Sequence, residues 1–209
     1  MQGKFMVFEG IDGCGKGTQA VLFAGRLYSA GKSRHVLTTS EPWNSEEIRR
    51  RLATETDPYS NAELMASLYI EDRRSHVVQL IAPNIARGVH VVSDRYKFST
   101  IAYQSTQGLN MEELIERHKS MPVPDLTFFI DVPVDVAMAR LAERARREKK
   151  EPKFEQQEFQ EKLRQAYLKA VQLHLAKGEL IYTINGNKPV EQVHSEIWET
   201  FAHHFPDLA

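Results

Sequence analysis

The chain lacks most of what would tie it to a disulfide framework, a membrane or a nucleic acid. It has one cysteine in 209 residues, which excludes an internal disulfide and any zinc site built on cysteines. No apolar stretch approaches the roughly 20 residues that a membrane helix needs. Neither charge dominates. Lys and Arg number 27 against 28 Asp and Glu, a net charge of −1, so there is no global polycation for a nucleic acid to meet. Repeats, low-complexity tracts and interdomain linkers are missing too, and the first residues carry no signal-peptide pattern. What is left is a length suited to one α/β domain with a substantial core. The expectation is a single domain over residues 1–209, in a reduced, cytoplasmic setting, with no nucleic-acid or membrane partner.

Five short apolar runs have the character of strands buried on both faces: 5–9, 35–39, 89–93, 126–131 and 180–184. Helical patterns separate them. Residues 61–87 repeat apolar side chains from Leu64 to Ile85, residues 157–177 place Leu163, Tyr167, Val171 and Leu175 four apart, and residues 190–204 carry Val190, Val193, Ile197 and Phe201. Strands alternating with helices predict a five-stranded parallel sheet covered by helices on both faces. Ligands of such sheets collect beyond the carboxyl ends of the strands. The residues following the runs are therefore the ones to read.

After the first run comes Gly10-Ile11-Asp12-Gly13-Cys14-Gly15-Lys16-Gly17-Thr18. Gly10 and Gly15 bracket four residues, Lys16 follows, and a helical pattern begins there. Strand, glycine loop and helix are the context of a phosphate-binding loop. Glycines leave backbone N–H groups bare, and these, with the positive end of the next helix, hold a polyphosphate. Lys16 adds a point charge near the β- and γ-phosphates. The motif expects Ser or Thr directly after the lysine to hold Mg²⁺. Gly17 stands there instead, so either Thr18 substitutes or water and an acidic residue hold the metal. Asp94, at the end of the third run, can hold Mg²⁺ directly or through water, and Arg95 beside it can grip a phosphate bidentately. Gly15-Lys16-Gly17-Thr18-Gln19 is similar to the loop of adenylate-kinase-like nucleoside monophosphate kinases.

A wider resemblance rests on several segments taken in order. These are the glycine loop, Glu41-Pro42 after the second run, Leu68-Tyr69-Ile70-Glu71-Asp72-Arg73, and Asp94-Arg95-Tyr96-Lys97-Phe98-Ser99-Thr100-Ile101-Ala102-Tyr103-Gln104. Together they resemble thymidylate kinases of the bacterial type, over nearly the whole chain, and Phe154-Glu155 with the helix to Tyr167 resembles the family's segment after its lid. The resemblance implies a P-loop NTPase fold with a short lid and transfer of a phosphoryl group from ATP to dTMP, with Mg²⁺, in a homodimer. It also implies roles. Arg73 and Arg95 would hold the acceptor phosphate, and Tyr69, at the family's usual phenylalanine position, would stack on thymine. Ser99 and Gln104 would lie near the base, and Tyr103 would crowd the sugar's 2′ position. Asp12 would reach the 3′-hydroxyl and the transfer region, while Glu41 would join the acceptor site.

The segment 140–153 carries seven Lys and Arg against three Glu. It reads as a lid over about 140–154 that closes on the phosphates, where a supplied arginine can contribute roughly 10³–10⁵ in rate. In the family this arginine comes from the phosphate loop or from the lid; positions 11–14 hold none, so the resemblance implies that the lid supplies it, with Arg144, Arg146 and Arg147 as the candidates. Two features depart from the family pattern: Ser40 before Glu41-Pro42 with Trp43-Asn44 after it, and Pro152-Lys153 where the lid usually has an acid. They keep another deoxynucleoside monophosphate kinase, or a degenerate nucleotide-binding relative, as alternatives. A GTP switch needs Asn-Lys-x-Asp, and the nearest match, Asn187-Lys188-Pro189-Val190, lacks the acid.

Overall fold

The computed structural model describes residues 2–32, 34–54, 57, 59–148 and 157–209. Five strands, β1 (Phe5–Glu9), β2 (Val36–Ser40), β3 (His90–Asp94), β4 (Leu126–Asp131) and β5 (Ile181–Asn185), form one parallel sheet in the order β2-β3-β1-β4-β5. The sequence runs locate all five, but β2, β3 and β5 each begin one residue later. Hydropathy marks burial, whereas strand ends are set by pairing. His35 and Leu180 lie just outside the ladder, where their carbonyls accept from the N–H groups of His90 and Thr127.

The central strand explains why the runs are apolar throughout. Met6 and Phe8 of β1 enter one core cluster, while Phe5 and Val7 enter another with Ile70, Val77 and Ile81. Both sides of the strand are thereby withdrawn from water. The covering helices are α1 (Lys16–Ser29), α2 (Glu46–Thr54), α3 (Ala62–His76), α4 (Ala82–Ala86), α5 (Lys97–Thr106), α6 (Met111–Arg117), α7 (Val134–Glu148), α8 (Gln157–Leu175) and α9 (Val190–His204). Phe23 of α1 meets Phe8 and Phe128 at ring separations of 5.6 and 5.9 Å and Phe201 of α9 at 5.0 Å. Phe129, the next residue of β4, turns the other way and stacks on Tyr167 of α8 at 5.6 Å.

The single helix expected over 61–87 is interrupted. A π turn, Val77–Ile81, separates α3 from α4, and the N–H of Ala82 reaches back to Val77 O. Pro83 has no N–H to give, and its ring crowds the preceding turn. The wider turn accommodates it. Of the expected lid, residues 140–148 continue α7 as ordinary helix, and 149–154 lie outside the described residues, as does Glu155.

Register sets up the site. Phe8 of β1 and Ser40 of β2 both align with Asp94 of β3. The next residue of each strand path is Glu9, Glu41 and Arg95. The N–H of Glu41 donates to Asp94 O at 3.1 Å and that of Arg95 to Phe8 O at 2.9 Å. Three charged residues thus emerge side by side from an apolar sheet.

Candidate functional site

The glycine loop packs too closely for side chains at Gly10 and Gly13: a Cβ at Gly10 would lie 2.5 Å from the carbonyl oxygen of Ile130. A Cβ at Gly13 would lie 2.3 Å from the carbonyl oxygen of Ala137 in α7. Gly15, the N-cap of α1, is in the left-handed conformation and offers the helix no capping oxygen, so that end presents backbone donors to a ligand. Ile11 and Cys14 turn into the core, and burial pushes the Cys14 thiol up. Of the loop residues named for ATP, these two and the four glycines, Gly10, Gly13, Gly15 and Gly17, can contribute only backbone. Lys16 is buried, and its Nζ donates to Ile11 O at 3.3 Å and to Asp12 Oδ1 at 3.2 Å.

The loop borders a cavity of about 320 Å³ whose walls include Gly13, Lys16, Thr18, Asp94, Arg140 and Arg144. Arg144 is the lid candidate that lies here. Arg146 and Arg147 are exposed and bind Glu143 instead. One helical turn separates Arg140 from Arg144, which puts both on the side of α7 that faces the loop. Arg140 donates to Cys14 O and to Gly186 O, at 3.3 and 3.0 Å, and so ties the loop to the segment after β5. Sequence reading placed it only within a basic run.

Asp94 lies directly against Gly17. A Cβ at Gly17 would lie 2.8 Å from Asp94 Oδ2, so the carboxylate occupies the space that a serine or threonine hydroxymethyl would need. Asp94 Oδ1 is buried without a hydrogen-bond partner. A buried orphan carboxylate oxygen beside a phosphate loop is the donor that a hard cation takes. Thr18 lines the same cavity. Among the described residues no group of three or more His, Cys, Asp or Glu could hold a metal by itself.

A second cavity, of about 300 Å³, is lined by Glu41, Tyr69, Arg73, Arg95, Ser99, Tyr103 and Gln104, all seven residues expected at an acceptor site, and by Asp12. Pro42, Leu52, Met65, Thr100 and Gln107 complete it. Tyr69 comes from α3, and burial pushes its phenol up to about 12, so it stays neutral. Gln104 gives its Nε2 to Gln107 at 3.1 Å, while its Oε1 is buried and unpartnered. Arg73 is 1 % exposed and heavily engaged. It donates to Glu41 Oε2, Tyr96 O and Thr100 Oγ1, each at 2.8–2.9 Å, and meets His118 Nε2 at 2.7 Å. Burial and the adjacent Arg73 charge push the His118 imidazole down to about 3, which leaves it neutral and able to accept.

The two cavities meet at Asp12 and Arg95, which line both. Arg95 Nη2 bonds Asp12 Oδ1, and Tyr103 OH donates to Asp12 Oδ2 at 3.0 Å. Burial opposes ionisation of Asp12, but the charges of Arg95 and Lys16 overcome it and hold the carboxyl well below its ordinary range. Arg95 itself has φ +75°, in the left-handed region. That costs a non-glycine residue about 1 kcal/mol or more. Two hydrogen bonds steady its guanidinium: Nη1 donates to Ser99 Oγ at 2.9 Å and to Tyr167 OH at 3.2 Å. Beneath them lies Glu9, fully buried, which accepts from Tyr96 N, Ser99 N and Ser99 Oγ at 2.8, 3.2 and 2.7 Å. Sequence reasoning passed over Glu9. The signal was present, because a carboxylate inside a strand buried on both faces must find partners.

The thymidylate kinase family model matches residues 8–197. The chain belongs to the thymidylate kinase family. Similar proteins include a probable thymidylate kinase of Methanococcus maripaludis, 34 % identical over 98 % of each chain. A thymidylate kinase of Thermosipho melanesiensis is 36 % identical over 92 % of this chain and 94 % of its own, and one of Desulfotalea psychrophila is 37 % identical over 77 % and 78 %.

Against the thymidylate kinase pattern, the atypical segment Ser40–Asn44 has its own anchoring. The Glu41–Pro42 peptide bond is cis, and Trp43 stacks on His76 at 5.3 Å and 13°. The Asn44 N–H donates to Asp72 Oδ1 at 2.9 Å, and Arg49 gives an N–H to Trp43 O. Lys149, Lys150, Pro152 and Lys153 lie outside the described residues. No helix among the described residues is long and apolar enough to cross a membrane.

Proposed function

We propose that this chain transfers the γ-phosphoryl group of ATP to the 5′-phosphate of dTMP, giving ADP and dTDP. One observation carries the reading: a phosphate-loop cavity and a nucleotide-sized cavity share Asp12 and Arg95. The donor's terminal phosphate on one side and the acceptor's phosphate on the other would face each other there. Phosphoryl transfer asks the protein mainly for alignment and charge neutralisation. Lys16 and the α1 backbone take the β- and γ-phosphates. Arg95 takes the acceptor phosphate, and Arg144, the one of the three lid candidates that lines the loop cavity, supplies the further positive charge. An acceptor phosphate oxygen attacks Pγ, and the bond from Pγ to the β-phosphate's bridging oxygen breaks, with its electron pair leaving on ADP. Asp94, with its unpartnered Oδ1, and Thr18, which lines the same cavity, would hold Mg²⁺, which would neutralise charge on the donor phosphates.

In the acceptor cavity Tyr69 offers a face for thymine. The orphan Oε1 of Gln104 accepts the ring N3–H, a demand that a cytosine lacking that hydrogen fails. Tyr103, tied to Asp12, walls off the 2′ position. Arg73 acts mostly as an anchor that ties α3 to Glu41 and to the start of α5, since its donors are already held by protein groups. The chain as one domain, a homodimeric assembly and a cytoplasmic setting complete the reading; gel filtration with light scattering tests the dimer.

The test is a coupled ADP-release assay with ATP, Mg²⁺ and dTMP, dUMP, UMP, CMP, AMP or GMP as acceptor. Selective turnover of dTMP is expected. Preference for another monophosphate overturns the roles of Tyr69, Tyr103 and Gln104, and no turnover with any of them overturns the enzymatic reading.

A further inference from the structure

Arg95 sits where donor and acceptor meet, in a backbone conformation that a non-glycine residue rarely holds unaided. Something must keep it there. Its guanidinium is fixed through Ser99 Oγ and Tyr167 OH, which lie 2.9 Å from each other. Ser99 in turn donates its hydroxyl proton to Glu9 Oε2 at 2.7 Å, which frees the oxygen's lone pairs for the Arg95 N–H. The other Glu9 oxygen accepts from the backbone N–H groups of Tyr96 and Ser99, on the far side of the Arg95 kink. A single carboxylate therefore clamps the turn after β3 to the last residue of β1, next to the phosphate loop.

We propose that Glu9 is a positioning residue for the acceptor phosphate: its ionised carboxylate sets Arg95 through Ser99 and Tyr167. This rests on the acceptor role given to Arg95 above. The chemistry is asymmetric. A carboxylate accepts at both oxygens, while a carboxylic acid or an amide must place a donor at one of them. A donor facing Ser99 reverses the serine hydroxyl and disturbs the acceptor that Arg95 uses. A donor facing Tyr96 N and Ser99 N sets N–H against N–H. Among the described residues, the charged and titratable groups that act on Glu9 belong to this machinery or its walls. Arg95 and Tyr96 come from the turn after β3, Tyr167 from α8 and Arg73 from α3. Asp12 is reached through Arg95. Burial, opposed by Ser99 and Arg95, pushes the Glu9 carboxyl up from 4.5 to about 7, so its ionisation falls in the working pH range.

The experiment is steady-state kinetics of wild type and Glu9→Gln at pH 6 and pH 8, varying dTMP and ATP separately. At pH 8 the substitution should raise KM for dTMP about tenfold, the scale of a lost hydrogen bond to a charged group, and leave KM for ATP within about twofold. At pH 6, where wild-type Glu9 is largely protonated, the difference in kcat/KM for dTMP should shrink to about threefold or less. The acceptor phosphate titrates near pH 6 as well, but it is common to both proteins and cancels in their ratio. A ratio equal at the two pH values, or equal increases in both KM values, overturns the proposal; a merely structural Glu9 gives that result. If Glu9→Gln does not fold, Ser99→Ala must raise KM for dTMP alone, and an unchanged KM refutes the link. Absence of dTMP turnover in wild type fails the assigned function instead.

Discussion

Glu9→Gln should stabilise the protein in alkaline solution while impairing it. The Glu9 carboxyl rises from 4.5 to about 7 on folding because burial penalises its charge more than Ser99, Arg95 and the backbone relieve it. Between these values the folded chain binds more protons than the unfolded chain, so stability from this group is present below about pH 4.5 and is lost as pH rises to 7. At about 1.36 kcal/mol per pKa unit, the ionised form costs about 3 kcal/mol above pH 7. Glutamine is nearly isosteric with the acid and never ionises. Near pH 4.5 the variant and the wild type should therefore match in unfolding free energy, and at pH 8 the variant should be more stable by about 3 kcal/mol. For a chain of this length that corresponds to roughly 6–12 °C in Tm. Urea unfolding followed by far-UV circular dichroism at both pH values measures it. A variant less stable than wild type at pH 8, or an offset that does not change with pH, refutes the account of Glu9 as a buried charge held against its preference.

Two other substitutions bear on the phosphate end. Arg144→Ala should lower kcat by about 10³ if its charge serves the transfer, and Arg147→Ala, an exposed partner of Glu143, should cost less than about threefold; steady-state rates decide, and the reverse order refutes the choice of Arg144. Gly17→Ala places a Cβ against Asp94 Oδ2, so it should raise the Mg²⁺ concentration needed for half-maximal rate by about tenfold, the scale of losing one charge-assisted contact; an unchanged Mg²⁺ titration refutes the metal role of Asp94.

Much of this molecule is legible in order along the chain. Period and composition locate five strands, because a strand buried on both faces has to be apolar throughout and therefore stands out. The glycine spacing fixes the phosphate loop, since few sequences let backbone N–H groups converge on one point. What linear reading misses depends on neighbours far away in sequence. Pro83 marks a disturbed helix, but the π turn that absorbs it is a property of the folded chain. The charge of 140–153 gives no preference among arginines; the pitch of α7 brings Arg144 to the cavity and turns Arg146 and Arg147 toward Glu143.

The sequence by itself determined the fold class and the phosphate loop, because both are written in local spacing, and its resemblance to thymidylate kinases pointed to the residues that line the second cavity. Only the tertiary structure decided how they are held. Gly17 is explained by a carboxylate 77 positions away, and Arg95 is set by Glu9, 86 positions away, through Ser99 and Tyr167. The parallel register that aligns Phe8, Ser40 and Asp94 brings these partners together. Strand pairing is a long-range agreement between segments, and no single segment records it.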